Sequence, residues 1–385
     1  MAGPDILDSG PAASTGRRPR WQLVAVGVVI AGVAALLAAR SDPDPAVPAP
    51  TPVPSVAALP GPPLPAAVGS VGVGSRSAYA LMARCNSAAV RACELRLFRR
   101  RIGAGGAPWT GLPLRFEIRS TTGGLPYLLV DGADRAVVLD GAQRWAYAPV
   151  AGAHARRQLA LGPAVDRVPP DGLLLVGLCA GCADRLVVLD APAGLLRPLR
   201  AQPLPAGVGV RSVDQLGDRV AVVSGGGDPA AGAASDDGGR TWRRFPVPRT
   251  AADGLEVLAT PDGGAYLIGT RGDALGNFRL AGIWRTQAPG AAWRQLRAVP
   301  APTTVRSALA GRRGLLIVDA GGSSWRLGPG DSFDRLRDPG PARPAFVESG
   351  PGGLLLAVPR GRLPDRFVLA SADEGETWEL ERIPG

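Results

Sequence analysis

Short apolar runs, each following a turn, recur along most of the chain. Examples are GDRVAVVSG at 217–225, DGGAYLIGT at 262–270, GRRGLLIVDA at 311–320 and GPGGLLLAVP at 350–359. Apolar runs bounded by glycine, aspartate or proline are typical of buried β-strands. The pattern therefore predicts many short strands joined by tight turns. The high content of glycine (53) and proline (39) favours the same architecture over long helices.

The N-terminal part has a different pattern. Residues 21–39, WQLVAVGVVIAGVAALLAA, carry no charge, and as a helix they would span about 28 Å, close to the thickness of a bilayer's hydrocarbon core. Because Arg17, Arg18 and Arg20 precede the span, residues 1–20 are expected in the cytoplasm and the rest of the chain outside. We therefore predict a single-pass cell-membrane protein anchored by this transmembrane helix. A cleaved signal peptide is the alternative interpretation.

A proline-rich stretch follows the apolar span. Residues 41–65 contain ten prolines. Since proline fixes φ and lacks a backbone N–H donor, this stretch should adopt an extended polyproline II conformation. We assign residues 40–65 to a linker and residues 66–385 to a globular domain outside the membrane.

One eight-residue pattern, S-x-D-x-G-x-T-W, occurs twice, as SDDGGRTW at 235–242 and SADEGETW at 371–378. In a turn between strands, the aspartate can accept backbone N–H bonds and the glycine can adopt a positive φ. The serine and threonine add local hydrogen bonds, and the tryptophan packs behind them. The residues predicted to build the two turns are Ser235, Asp237, Gly239, Thr241, Trp242, Ser371, Asp373, Gly375, Thr377 and Trp378.

Five weaker copies of the octapeptide lie at 102–109, 138–145, 188–195, 286–293 and 326–333. Across all the copies, the last residue of the pattern recurs about every 45 residues, a period typical of β-propellers with several short strands per blade. The sequence therefore predicts an all-β domain, a seven-bladed propeller of four antiparallel strands per blade. Six or eight blades are the alternatives.

The two full copies resemble the Asp-box, or BNR repeat, of the sialidase superfamily and related propellers. The resemblance implies a propeller over residues 66–385. It also implies that each motif lies on the outer turn between the third and fourth strands of a blade, away from the central channel. In those families the motif is an element of the fold and specifies no reaction. A second family with similar blades, the photosystem assembly factors, holds a protein partner with an arginine patch.

The resemblance does not extend to the residues that a sialidase-like enzyme would require. Such an enzyme needs an arginine cluster for the substrate carboxylate, a Tyr-Glu nucleophile pair and an acid/base aspartate. The F/Y-R-I-P motif has only a partial counterpart, the tripeptide RIP at 382–384, at the wrong end of the domain and without the aromatic residue. The acidic pairs at 236–237 and 373–374 lie inside the octapeptides, whereas glycosidase carboxylates face one another across a site. No evident glutamate partner accompanies the four tyrosines, Tyr79, Tyr127, Tyr147 and Tyr266.

We therefore expect a membrane-anchored, non-enzymatic propeller that binds or scaffolds an extracellular protein or glycan. A sialidase-like glycoside hydrolase is the alternative. The chain has no lysine and one histidine, His154, which rules out a Schiff-base lysine, a phosphate-loop lysine and a histidine metal cluster. We expect no cofactor and no metal. All 43 basic residues are arginine, which resembles a coding bias, so the charge of +10 does not indicate a nucleic-acid partner.

The four cysteines fall into two local pairs. Cys85 and Cys93 flank one predicted hairpin connection, and Cys179 and Cys182 flank another. Opposed positions of a hairpin can suit a disulfide, and disulfides fit an exported domain. A redox site or half of a zinc site is the alternative for the C-x-x-C pair, but neither a helix pattern nor further ligands accompany it. We predict the disulfides Cys85–Cys93 and Cys179–Cys182.

Overall fold

The computed structural model of the protein describes most of the chain after residue 66. The described residues are 67–85, 91–103, 107–120, 126–139, 145–150, 153–170, 172–177, 179, 181–225, 230–272, 278–288, 291–297, 301–328, 330–337, 340, 342–350, 353–360 and 366–384. The predicted cytoplasmic tail, transmembrane helix and linker lie outside these residues. Within the described ranges, no helix has the length and apolarity needed to cross a bilayer.

The described chain forms seven four-stranded sheets, which are the blades of a β-propeller. The strands are β1 (Ala67–Val73), β2 (Ser77–Cys85), β3 (Arg91–Arg101) and β4 (Thr110–Ser120) in blade 1; β5 (Tyr127–Val130), β6 (Ala136–Leu139), β7 (Trp145–Val150) and β8 (Ala153–Gln158) in blade 2; β9 (Ala160–Leu161), β10 (Leu173–Val176), β11 (Leu186–Asp190) and β12 (Leu195–Pro198) in blade 3; β13 (Val210–Leu216), β14 (Arg219–Ser224), β15 (Ala231–Ser235) and β16 (Arg243–Pro246) in blade 4; β17 (Gly254–Ala259), β18 (Ala265–Gly272), β19 (Phe278–Thr286) and β20 (Arg294–Leu296) in blade 5; β21 (Ser307–Gly311), β22 (Gly314–Val318), β23 (Ser324–Leu327) and β24 (Phe333–Arg335) in blade 6; and β25 (Arg343–Ser349), β26 (Leu355–Arg360), β27 (Phe367–Ser371) and β28 (Glu379–Arg382) in blade 7. The predicted all-β fold and the blade number are confirmed.

The apolar runs of the sequence form the second strands of the blades. The run after the turn at 217–218 is β14, and the runs quoted from the later blades are β18, β22 and β26. A second strand lies inside its sheet, and neighbouring blades pack on both faces of that sheet, so almost every side chain of β14 and β22 is buried. A strand with two buried faces has a continuous apolar run where a half-exposed strand would alternate.

The ring closes where blade 7 meets blade 1. β25 and β26 contact β1, and the core at this boundary contains Leu356 and Ile383 of blade 7 together with Val71 of blade 1. Glu381 adds polar contacts across the same boundary, because its carboxylate accepts hydrogen bonds from Arg100 Nη1 (2.6 Å) and from the Trp109 indole (2.9 Å). Both blades consist of consecutive strands, so side-chain packing closes the ring without any exchange of strands.

Blade 3 departs from the predicted pattern of four consecutive antiparallel strands. Its outer strand is β9, which precedes the other three in the chain and pairs with β12 in parallel. No fourth strand follows β12 in this blade. The Gln202 side chain lies beside β11 instead, donating a hydrogen bond to the carbonyl oxygen of Leu186 (3.1 Å) and accepting one from its N–H (3.0 Å). A side chain thus satisfies backbone groups at one end of that strand.

Two of the weaker octapeptide copies lie at another place in the blade than the rest. The copies at 138–145 and 188–195 connect second to third strands, whereas the five others connect third to fourth strands. In the copy at 188–195, Asp190 caps an ordinary hairpin turn, accepting the Ala193 N–H (3.2 Å) and pairing with Arg197 (2.9 Å). Aspartate is common in any such turn. An aspartate with a terminal apolar residue therefore did not distinguish the two kinds of turn.

Candidate binding site at the central channel

The octapeptide turn of blade 4 (235–242) is held by its own side chains. Ser235 Oγ donates to Asp237 Oδ1 (2.8 Å) and accepts the Gly239 N–H (2.8 Å). Asp237 accepts two hydrogen bonds from Thr241, one from its N–H (2.9 Å) and one from its hydroxyl (2.6 Å). Gly239 has a φ of +87°, a conformation that glycine adopts without strain. The bonds from Thr241 lower the pKa of Asp237 to about 2.

The octapeptide turn of blade 7 (371–378) repeats these bonds. The Ser371 hydroxyl donates to Asp373 (2.8 Å) and accepts the Gly375 N–H (2.6 Å). Asp373 accepts hydrogen bonds from the Thr377 N–H (2.9 Å) and hydroxyl (2.7 Å). Burial raises the pKa of Asp373, but the hydrogen bonds from Thr377 and Ser371 outweigh it and lower the pKa overall. Both sets of predicted turn residues are thus brought together by the fold.

The two octapeptide turns differ in what they contact outside themselves. The Trp242 indole donates to the backbone oxygen of Ala201 in blade 3 (2.8 Å). The Trp378 indole N–H is buried without a hydrogen-bond partner. The blade 7 turn contacts blade 6 through Glu374, whose Oε2 accepts the Arg313 N–H (3.0 Å). Glu374, which is not one of the defining residues of the motif, also lines a cavity at one end of the channel.

That cavity, of about 510 Å³, lies where the first strands of blades 4, 5, 6 and 7 turn into their second strands. We call this end of the channel the loop end. Its walls are largely apolar and include Leu216, Leu309 and Leu355. Leu216 is 44% exposed, the second most exposed of the large hydrophobic side chains in the described ranges. Polar groups at the loop end include Arg312 and the carboxylate of Glu374.

Three arginines gather at the opposite end of the same strands. Arg343 begins β25, and it lies opposite Arg360, the last residue of β26, in the antiparallel register of these two strands. Arg306 immediately precedes β21, and its guanidinium carbon lies 4.5 Å from the centre of the Phe346 ring. Burial lowers the pKa of Arg306, and the charge of Arg360 lowers it further. We call Arg306, Arg343 and Arg360 the arginine cluster; Phe346 lies beside Arg306.

Two members of the arginine cluster, Arg306 and Arg360, carry positive charge that no described carboxylate neutralises. Among the described residues, Arg306 and Arg360 have no carboxylate within ion-pair distance, and Arg343 donates to the backbone oxygen of Gly321 (3.4 Å). Guanidinium groups remain charged at any physiological pH and bind carboxylate or phosphate oxygens in pairs. The arrangement can therefore hold an anionic group, with an aromatic ring beside it.

The sequence contains a signal for this cluster that the octapeptide search missed. The tripeptide Val-Arg-Ser occurs at 210–212 and at 305–307, in both cases at the start of a first strand. In each copy the serine hydroxyl accepts a backbone N–H from the first strand of the next blade. The arginines differ, because Arg211 is paired with Asp184 (2.6 Å) while Arg306 has the Phe346 ring as its neighbour.

Two carboxyl groups are buried side by side in the channel wall. Asp214 of β13 accepts the Ala259 N–H of β17 (2.7 Å), and burial raises its pKa to about 6 although this bond opposes the shift. Glu256 of β17 is 7% exposed, and its Oε1 has no hydrogen-bond partner. Burial and then the charge of Asp214 raise the pKa of Glu256 to about 8. Glu256 is therefore mostly protonated at neutral pH.

The remaining candidate residues of a sialidase-like site are dispersed. Of the tyrosines only Tyr127 lies on a first strand. Tyr79 donates its hydroxyl to the backbone oxygen of Asp134 (2.8 Å), and Tyr266 lies beside Arg285, whose guanidinium carbon is 5.5 Å from the ring. In the tripeptide RIP, Ile383 is fully buried between blades 7 and 1, as expected for a segment that closes the last strand.

The cysteines lie in two hairpins of different blades. Cys179 and Cys182 form the predicted disulfide in the β10–β11 connection, with a Cα–Cα distance of 5.2 Å. Cys85 and Cys93 occupy opposed positions in the β2–β3 register. The side chain of Cys85 lies outside the described residues, as does that of His154, so the second disulfide stays a prediction.

The fold and the channel define the class of the protein, a seven-bladed β-propeller. No protein-family model matches the chain, and no curated protein matches it either. Solved structures do match. The β-propeller domain of the Trilobed protease from Pyrococcus furiosus is 8% identical, over 84% of this chain and 99% of that chain, with a TM-score of 0.49.

Two further matches have similar levels of identity. The structure described as YCF48 bound to D1 peptide is 20% identical, over 57% of this chain and 67% of that chain, with a TM-score of 0.38. A catalytically inactive virginiamycin B lyase from Staphylococcus aureus is 11% identical, over 80% of this chain and 94% of that chain, with a TM-score of 0.44. At such identities the likeness concerns the fold alone.

Proposed function

We propose that the protein is a membrane-anchored, extracytoplasmic binding module that holds an acidic segment of a partner protein at the arginine cluster. The observation that carries the proposal is the group of three arginines at one end of these strands, two of which, Arg306 and Arg360, have no carboxylate partner among the described residues. An uncompensated charge in a half-buried site costs desolvation energy that a bound anion offsets. A partner carboxylate would supply the missing acceptor.

The Phe346 ring gives the cluster a second kind of contact. A guanidinium 4.5 Å from the ring centre makes a cation–π contact, which holds Arg306 in place before a ligand arrives. An ordered arginine loses less conformational entropy on binding. Charged side chains at such a site mainly raise the association rate and the specificity, so binding should weaken steeply with salt.

The binding proposal is tested by titrating the full-length chain with two capped hexapeptides, one of glutamate and one of glutamine. We expect the glutamate peptide to bind and the glutamine peptide not to bind at the same concentrations. Equal binding of the two would overturn the proposal. A heparin hexasaccharide serves as a third ligand, and if it bound while the glutamate peptide did not, the partner would be an anionic glycan.

The anchor at residues 21–39 and the extracytoplasmic location of the domain are part of the same proposal, supported by the uncharged span and the arginines before it. Fusion of β-lactamase after residue 385 tests the topology, because the enzyme protects cells against ampicillin only outside the cytoplasm. Protection that disappears when residues 21–39 are deleted is the expected result. Equal protection with and without the span would contradict it.

A sialidase-like glycoside hydrolase is the second candidate function, and one observation favours it. Asp214 and Glu256 lie on neighbouring first strands and have pKa values raised to about 6 and about 8. Carboxyl groups whose pKa values are separated in this way are a common feature of acid/base catalysis. Release of methylumbelliferone from its sialoside by the wild type, abolished in Glu256→Gln, would support hydrolysis; no release would leave the binding function as the better account.

A further inference from the structure

We propose that the loop-end cavity binds a small organic anion with an apolar body, such as an aryl or short alkyl carboxylate. The cavity lies at the other end of β21 and β25 from the arginine cluster, so this site is independent of the partner site described above. Its volume of about 510 Å³ is within the range of small-molecule sites in proteins.

The apolar body of the ligand would cover the leucines of the cavity wall. Leu216 is 44% exposed at the end of β13, and Pro261, Leu309 and Leu355 line the same cavity. An exposed leucine beside other apolar side chains is a favourable contact for an aromatic ring, because each square ångström of apolar surface removed from water stabilises the complex by about 25 cal/mol.

The charged side chains at the cavity have a net positive charge, which favours an anionic ligand. Arg313 and Arg326 both pair with Glu376, at 3.5 and 2.8 Å. The Glu374 carboxylate accepts the Arg313 N–H. Arg312, at the tip of the β21–β22 turn, has no carboxylate partner in the described ranges. Three arginine side chains and two glutamates thus lie at or beside the cavity, a net charge of +1, and Arg312 is the arginine without a described carboxylate partner.

Glu374 is held in a fixed position in the cavity wall. It has a φ of +59°, in the left-handed region, whereas the matching residue of the blade 4 turn is Gly238. Its carboxylate packs against Gly311 and Gly353, where an added Cβ would lie 2.8 and 3.1 Å from its oxygens. A side chain fixed this tightly by two backbones acts as part of the wall.

The test uses two ligands that differ only in charge, naphthalene-1-acetate and naphthalene-1-acetamide, titrated into the full-length chain by calorimetry. We expect the acid to bind about five- to tenfold more tightly than the amide, since one charge-assisted hydrogen bond at a partly solvated site contributes about that much. Equal affinities, or no binding of the acid, would overturn the proposal.

Matched variants locate the binding. Arg312→Gln should abolish the preference for the acid, while Arg249→Gln, an exposed arginine between β16 and β17, should leave it unchanged. Leu216→Ser should weaken the binding of both ligands. Leu380→Ser, whose leucine is 41% exposed on β28, is the control for lost apolar surface. If the cavity variants and their controls had equal effects, the ligand would bind elsewhere and the site assignment would be wrong.

Discussion

The boundary between blades 3 and 4 and the boundary between blades 6 and 7 carry the same octapeptide and use it differently. Inside the turns, the hydrogen bonds of Asp237 and Asp373 are the same. Outside them, the blade 4 turn contacts blade 3 through the Trp242 indole, and the blade 7 turn contacts blade 6 through Glu374 and Glu376. The repeated residues therefore determine the turn, whereas the contact with the neighbouring blade uses the repeated tryptophan in blade 4 and the variable positions Glu374 and Glu376 in blade 7.

The two Val-Arg-Ser copies differ in the same way. Both serines bind the next blade, but Arg211 is neutralised by Asp184, whereas Arg306 has no carboxylate partner within the described parts of the chain. The third position after the arginine differs too, being Asp214 in the first copy and Leu309 in the second. The blades of a propeller share a scaffold, and the residues at other positions differ from blade to blade. Asp184 neutralises the arginine of the first copy, and no described carboxylate neutralises the arginine of the second.

The largest expected effect is on the pH dependence of stability. It comes from Glu256 of β17, which lies beside Asp214, two residues after the first Val-Arg-Ser copy. The pKa of Glu256 is raised from 4.5 to about 8, so the folded state binds its proton more tightly than the unfolded state does. Its contribution to stability is complete below pH 4.5 and is lost as the pH rises through 8. The slope is about 1.4 kcal/mol per pH unit at most.

Urea denaturation at pH 6, 7 and 8 measures this slope, because Asp214, with a pKa of about 6, contributes mainly below that range. We expect the wild-type free energy of unfolding to fall with pH more steeply than that of Glu256→Gln, in which Glu348, whose pKa burial also raises well above its usual value, still titrates. Parallel slopes for the two proteins would show that Glu256 titrates normally.

The next largest effect should distinguish the two blade boundaries. Arg326 is 7% exposed, pairs with Glu376 and donates to the backbone oxygen of Glu374. Replacing Arg326 with Met should cost about 1 to 3 kcal/mol, because the backbone carbonyl of Glu374 loses its donor and Glu376 keeps only the longer pair with Arg313. Arg219 of blade 4 is the control. Its ion pair with Asp236 is exposed and 3.9 Å long, so Arg219→Met should cost under about 0.5 kcal/mol. Equal costs in thermal denaturation would remove this difference between the boundaries.

Asp237→Ala and Asp373→Ala should have similar effects on stability, since the two carboxylates accept the same bonds. Each should cost about 1 to 2 kcal/mol, because turn N–H and hydroxyl donors lose their acceptor at a partly solvated site. Chemical denaturation midpoints of the two variants provide the comparison. A large effect in one and none in the other would mean that the turns are not equivalent.

The smallest effect concerns the two tryptophans. Trp242→Phe removes the hydrogen bond to Ala201 and should cost about 1 kcal/mol, whereas Trp378→Phe removes a buried N–H without a partner and should be neutral. Both rings are only partly buried, so neither change opens a large cavity. Equal losses of stability in the two variants would indicate that the indole of Trp378 does have a partner.

The sequence predicts the scaffold well because scaffold residues are repeated. Turn residues and second strands recur at nearly fixed spacing, and this recurrence is sufficient for seven blades. The parallel outer strand β9 could not be predicted, since Ala160 and Leu161 carry no pattern of their own. The arginine cluster was missed because its residues are distant in the chain and meet only when β21, β25 and β26 assemble.

The central claim is that Arg306 remains free for an anionic partner while Arg211, in the same Val-Arg-Ser setting, does not. The most direct test is calorimetric titration of the capped hexaglutamate peptide into the full-length Arg306→Gln and Arg211→Gln variants, which carry the same net charge. The account predicts that Arg306→Gln weakens binding about fivefold or more, in line with one lost charge-assisted hydrogen bond, and that Arg211→Gln leaves it near the wild-type value. Equal weakening in both variants would show that only net charge matters and would contradict the account.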